Sequence, residues 1–250
     1  MGNKLYAVIL LLVLLAGVAA ADPQTMPFPK LSVEVGKAAK PEDVSVTLQI
    51  LFVMTILSLA PAILILTTAF TRIIVVFHFL KQALGTPQMP PSQVMVGLAM
   101  FLTFFVMAPV WKSVNDTALQ PYLKEKITLD QAYDRGVGPV REFMFKQTRE
   151  EDLALFVKMA KLDKPKNRDD VPTYALVPAF AISELRKGFQ IGFMLFIPFL
   201  IIDMVIASIL MSMGMMMLPP VMISLPFKIL LFILVDGWHL IVSSLLTSFQ

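Results

Sequence analysis

The sequence predicts an all-α membrane protein built from helical hairpins, with one small amphipathic helical segment between them. Three observations predict it. About four apolar runs are long enough, or nearly so, to cross a bilayer as helices, and prolines inside them predict kinks. The whole chain of 250 residues is 57% hydrophobic and only 16% charged, with mean hydropathy +0.75. And polar residues are gathered into a single long stretch, 112–187.

The same composition narrows function. The net charge is only +3 and basic residues are mixed with acids, so there is no nucleic-acid footprint. No cysteine is present, which excludes disulfides, thiolate metal sites and cysteine nucleophiles and suits a chain exposed to the periplasm. Two histidines, His78 and His239, are too few for a histidine metal site. There is no Gly-rich phosphate loop, Ser-His-Asp arrangement or HExxH zinc motif. The chain reads as a non-enzyme without cofactor or metal.

Residues 1–21 read as a cleaved secretory signal: Lys4 first, then the apolar Leu5 to Leu15, then Val18-Ala19-Ala20-Ala21 before Asp22. The competing reading is a first membrane helix, which the short apolar core disfavours. Residues 22–43 are polar and aperiodic, a flexible lead-in. Residues 44–111 form the first apolar hairpin. Its first run, Val46 to Phe70, holds Pro61, where a lost hydrogen bond predicts a kink or break. Ile73 to Leu80 is too short to span a bilayer alone, and Gly85 to Pro91 makes a turn. Val94 to Trp111 is the second span, with Pro109 near its end and Trp111 as an interfacial anchor.

Residues 112–187 predict two or three amphipathic helices, broken near Lys164-Pro165-Lys166-Asn167. Thr148 and Glu151 have capping-box spacing, and Leu153, Phe156, Met159 and Ala160 recur at helical spacing. Residues 188–250 form the second hairpin: a span from Phe189 to Leu210, an uncharged link, and a span from Leu225 to Leu246. Gly188 and Gly192 are spaced to share one helix face and admit a close neighbour. A signal and four spans put Arg72 and Lys81 inside and the basic 112–187 segment outside, against the positive-inside rule. Either the rule yields to the long loop, or these helices are not simple spans.

Charges inside apolar runs mark sites, because a lone one at the bilayer centre costs about 2.5–3.5 kcal/mol. Asp203 and Lys228 flank the link and have opposite signs. In an antiparallel hairpin, at about 1.5 Å per residue, both lie roughly 15–20 Å from the turn. A pair is expected, within one chain or between neighbours. Asp236 has no obvious internal partner and suggests an intersubunit role. In the link, Met211, Met213, Met215, Met216 and Met217 crowd together, with Gly214 loosening the backbone and Pro219-Pro220 ending the helix. Methionine is flexible and polarizable, so it fills irregular gaps. These side chains are either ordinary packing and lipid-facing residues or a compliant seal across a pore made by several copies.

Longer motifs carry a resemblance. Thr71-Arg72-Ile73-Ile74-Val75-Val76, Lys81-Gln82-Ala83-Leu84-Gly85-Thr86, Pro90-Pro91-Ser92-Gln93-Val94, Phe189-Gln190-Ile191-Gly192-Phe193, Ile197 to Asp203, Gly214-Met215-Met216-Met217 and Val235-Asp236-Gly237-Trp238 resemble the FliP family of flagellar export-gate proteins. The likeness covers about Ser45 to Phe249. It implies a pentamer in a helical assembly with FliQ-like and FliR-like proteins, beside FlhA and FlhB, in the inner membrane at the flagellar basal body. Unfolded rod, hook and filament subunits would pass through it. It also implies a gasket at Met215, Met216 and Met217 with Gly214. Beside these, Asp236 and Arg72 are candidates for polar contacts between subunits. The injectisome homologue and a small-solute transporter are the alternatives.

Overall fold

The computed structural model describes residues 41–86, 89–162, 165, 167–215 and 217–250, with side chains from residue 48 onward. The expected signal segment, most of the lead-in, and Met216 lie outside the described residues. The chain divides into two compact units, residues 1–52 and 53–250. The second holds every side-chain contact discussed below.

All regular structure among the described residues is helical. In order, the helices are α1 (Pro41–Thr67), α2 (Phe70–Leu84), α3 (Ser92–Val114), α4 (Gln120–Leu123), α5 (Leu129–Gln147), α6 (Glu150–Met159), α7 (Thr173–Ser212), α8 (Pro220–Leu234) and α9 (Gly237–Thr247), with a π-helical turn, Asn115–Leu119, joining α3 to α4. Three stretches are long and apolar enough to cross a membrane: Leu48–Thr67, Ser92–Leu123 and Thr173–Ser212. The pair α8 and α9 would be a fourth, but it is bent by 63°. With exposed apolar side chains along all of them, this is a membrane protein.

Of the kink or break expected at Pro61, the break does not occur: α1 runs through the proline. The chain breaks instead after Thr67. There the Thr67 and Thr68 hydroxyls each donate, at 2.8 Å, to the carbonyls of Ile63 and Leu64, and Thr71 donates to that of Ile65. The Thr67 and Thr68 hydroxyls back-bond four residues down the helix, and the Thr71 hydroxyl takes a carbonyl of the last turn that the helix end leaves open. The short apolar run after Arg72 becomes the centre of the fold. Ile73, Val76, Phe77, Leu80 and Ala83 of α2 are wholly buried, at spacings of three and four that line one helix stripe. Met95 and Ala99 of α3, Phe199 of α7, Phe232 of α8, and Ile241 and Leu245 of α9 close around it.

The hydrophilic segment forms a second core of Met144, Val157, Val171, Ala175, Leu176 and Phe180. The expected capping box at Thr148 and Glu151 is not formed. Thr148 closes α5, its hydroxyl donating to the Met144 carbonyl at 2.7 Å. The capping box is at Thr128 and Gln131, where it starts α5. The buried stripe of α6 centres on Val157, with Leu153 and Phe156 beside it, while Met159 faces outward. The expected division between residues 187 and 188 falls inside α7. That helix is 40 residues long and begins in the hydrophilic segment. Glu184, Arg186 and Lys187, three to four turns in, do not stop a helix whose apolar stripe continues through Leu176, Phe180 and Gly188.

Candidate functional site

The hairpin of α7 and α8 carries the residues of interest, and α7 reaches its turn as an unbroken rod through Pro198. Its end is set by local backbone chemistry. Gly214 is left-handed, with φ +74. The Met215 N–H donates to the Leu210 carbonyl at 3.0 Å and the Gly214 N–H to that of Met211 at 3.1 Å, which makes a Schellman motif. Gly214 therefore does not loosen the backbone; it fixes where the helix stops. Pro220 opens α8 in its first turn, where its missing N–H costs nothing. The turn between holds its side chains outward: Met211 and Met213 are exposed, Met215 half-buried, and Met217 98% exposed.

About three turns back from the turn, α7 and α8 are tied together. Lys228 Nζ donates to Asp203 Oδ2 at 2.6 Å, and the Ser224 hydroxyl to Asp203 Oδ1 at 2.5 Å. The contact is within one chain. Lys228 is almost wholly buried, while Asp203 keeps 29% of its side chain exposed. The loop after α2 presses on the lysine: a Cβ on Gly85 would lie 3.5 Å from Lys228 Nζ. Gly85 is itself left-handed, at φ +68, and caps α2.

Gly188 and Gly192 share a face of α7, and the neighbour they admit is α2. A Cβ on Gly188 would sit 3.0 Å from Val75, and one on Gly192 only 2.5 Å from the Phe79 ring. The spacing thus fits α2 into α7 within one molecule.

Arg72 lies at the other end of this contact, and its expected place between subunits is corrected. It is wholly buried, because every donor it carries is satisfied inside the chain. Nε donates to Glu184 Oε2 at 3.0 Å, and one Nη2 hydrogen goes to Glu184 Oε1. Nη2 also donates to Gln147 Oε1 at 2.8 Å, and Nη1 to the Ser248 carbonyl at 2.7 Å and hydroxyl at 2.9 Å. The Phe249 ring stacks on the guanidinium, 3.8 Å from its carbon. Lys187 Nζ donates to the Gln147 carbonyl at 2.8 Å. One side chain so joins α2, α5, α7 and the end of α9.

Asp236 interrupts the expected fourth span. It takes a left-handed conformation, φ 49, between α8 and α9, and its side chain is exposed. Beside it, Gly237 is buried where a Cβ would meet the Phe232 ring at 2.3 Å. The bend therefore needs a glycine.

Sequence reasoning missed Glu184, Gln147, Ser224, Ser248 and Phe249. Signals existed for two. Ser224 is one helical turn before Lys228, on its face, and Glu184 stands between apolar Ile182 and Leu185.

The motif-bearing length of this chain matches the family model described as the FliP family, over residues 53–245. The chain belongs to the FliP family. It is 60% identical to the flagellar biosynthetic protein FliP of Bacillus subtilis (strain 168) over 217 residues, covering 87% of this chain and 98% of that one. It is 54% identical to the flagellar biosynthetic protein FliP of Pectobacterium carotovorum subsp. carotovorum, covering 82% and 80%. It is 47% identical to that of Aquifex aeolicus (strain VF5), covering 89% and 92%. The matched region of this FliP-family chain includes both ion pairs, the methionine turn and the Asp236 bend.

Proposed function

We propose that the chain is a non-enzymatic core subunit of the flagellar protein-export gate in the bacterial inner membrane, at the flagellar basal body. Several copies, five in this reading, assemble with FliQ-like and FliR-like proteins, beside FlhA and FlhB. Unfolded rod, hook and filament subunits thread through the opening, and Met215, Met216 and Met217 close it when no substrate is present. Partner action, not chemistry by this chain, drives transport.

The observation that carries the reading is the methionine turn itself. A hairpin tied by Asp203 and Lys228 presents exposed unbranched apolar side chains at Met211, Met213 and Met217. Repeated around an axis, such turns form a soft ring that deforms around a moving chain. Flagellar relatives at this level of identity favour this reading over the injectisome. Against a small-solute transporter, the buried polar groups of the apolar helices, Arg72, Glu184, Asp203 and Lys228, engage one another or Gln147 and Ser224.

The test replaces Met215, Met216 and Met217 with Ala in a complemented deletion strain. The expected outcome is an assembled complex, and a membrane that leaks ions or small dyes. A tight membrane with normal export would sink the gasket role.

A further inference from the structure

Methionine is the only sulfur in this chain, which has 17 methionines and no cysteine. Where each thioether sits therefore decides where the chain can take up oxygen at sulfur. Met95, Met107 and Met144 are buried in the fold. The methionines of the α7–α8 turn are the opposite case. Met211, Met213 and Met217 are exposed, Met217 almost completely. A thioether has no proton to lose before it reacts, so access to a small oxidant governs its oxidation.

Two features give oxidation a consequence at this place. The surface of the turn is sulfur: between Ser212 and Pro219 the exposed large apolar side chains described are Met213, Met217 and Leu218. Met194 and Met204 on α7 are exposed too, but they stand among exposed Phe193, Ile201 and Val205, which stay apolar whatever happens to a sulfur. The shape of the turn, in contrast, does not depend on sulfur. Main-chain bonds from Gly214 and Met215 to Met211 and Leu210 stop the helix, and Ser224 and Lys228 hold the hairpin through Asp203. Oxidation thus changes what the tip presents and leaves in place what carries it.

We propose that Met211, Met213 and Met217 are an oxidation site for hydrogen peroxide, and that their sulfoxides open the seal. The inference rests on the gasket reading and adds a regulation to it. A lone pair on the methionine sulfur attacks one peroxide oxygen. The S–O bond forms as the O–O bond breaks. The departing oxygen keeps its own hydrogen, takes the proton of the transferred oxygen and leaves as water. Sulfur is oxidised by two electrons and the peroxide reduced by two. A ring of thioethers excludes water because nothing in it competes for hydrogen bonds. A sulfoxide oxygen is a strong acceptor with no donor among those thioethers, so it draws water into the contact. Methionine sulfoxide reductases undo the step, one enzyme for each sulfoxide epimer.

The test uses sealed membrane vesicles that carry the complete gate and a trapped small dye, with vesicles lacking this chain as background. After hydrogen peroxide, peptide mass spectrometry should find sulfoxide at Met213 and Met217 before Met107 and Met144. Dye release above background should rise roughly tenfold, the effect of one unpartnered polar group in a dry contact. The oligomer should persist, and the two reductases together should reverse the leak. A second preparation combines Met211→Leu, Met213→Leu and Met217→Leu, which conserve volume and remove sulfur. Read against its own untreated sample, its release should not respond to peroxide. Sulfoxide at Met213 and Met217 with unchanged release overturns the proposal. So does an equal response from the leucine variant, or oxidation that reaches the buried methionines first. The alanine variant of the gasket separates the two readings. If it leaks while the oxidised turn stays tight, the oxidation switch alone falls. If neither leaks, the gasket reading falls and takes this inference with it.

Discussion

In each half of the long helix α7 a carboxylate holds a buried cation of another helix, and the two sites differ in ways that matter. Glu184 meets Arg72 in a site closed to solvent on both sides. Asp203 meets Lys228 in one closed around the lysine but open at the acid. The carboxylates are 19 residues apart by number, so roughly 28 Å at about 1.5 Å per residue. The first pair ends in contacts to four segments: α2, α5, α7 and the end of the chain. The second joins only the two arms of one hairpin. One end of the rod is anchored and the other is tied but free at its tip. A gate needs that division, since a turn that must yield to a passing chain has to be carried on something that does not.

The sharpest way to break this comparison is at the anchored end. Glu184→Gln removes the charge that balances Arg72 and leaves a guanidinium buried without its counter-ion. About 3–5 kcal/mol of destabilisation is expected, the usual cost of halving a buried pair. Protein level in membranes and resistance to protease report it. A variant that accumulates and folds like the parent would show that Gln147, Ser248 and Phe249 suffice to hold Arg72.

At the open end the two partners should not be equivalent. Asp203→Asn strands a nearly buried ammonium, whereas Lys228→Met leaves an acid that is less buried and keeps the Ser224 hydroxyl as a donor. The expected cost is about 2–3 kcal/mol for Asp203→Asn and about half that for Lys228→Met, in the range of hydrogen bonds to charged groups. Thermal stability of the purified complex measures both. Equal losses would mean that the pair is as closed as the one at Arg72.

The smallest effect is expected at the tip. Gly214→Ala puts a side chain on a left-handed residue with open space around it. The cost is steric strain alone, about 1 kcal/mol. The complex should assemble, with the turn displaced and the seal weakened; dye leakage without loss of oligomer is the signature. Unchanged leakage would place the turn's function in its side chains rather than in its shape.

Much of this was legible beforehand, and the misses have physical causes. Helical class, the apolar helices and the methionine turn follow from composition and local pattern, which act over a few residues. Asp203 and Lys228 could be matched because a hairpin converts distance along the chain into depth. Arg72 could not be assigned that way. Glu184, Gln147 and Ser248 approach it from 112, 75 and 176 residues away, and no period or spacing encodes such meetings. The run from Ile73 to Leu80 was read as merely too short to span a membrane. Its shortness is what lets it serve as the core, surrounded by longer helices.

The sequence by itself determined that this chain is helical, apolar and without disulfides, and that a glycine and two prolines bound its methionine turn. Those are local properties of side chains and backbone. Only the tertiary structure decided that Arg72 is an internal anchor, that Gly188 and Gly192 receive α2, and that Ser224 joins Lys228 on Asp203. Pairing is a property of positions in space, and a charge is free or satisfied only once the chain has packed around it.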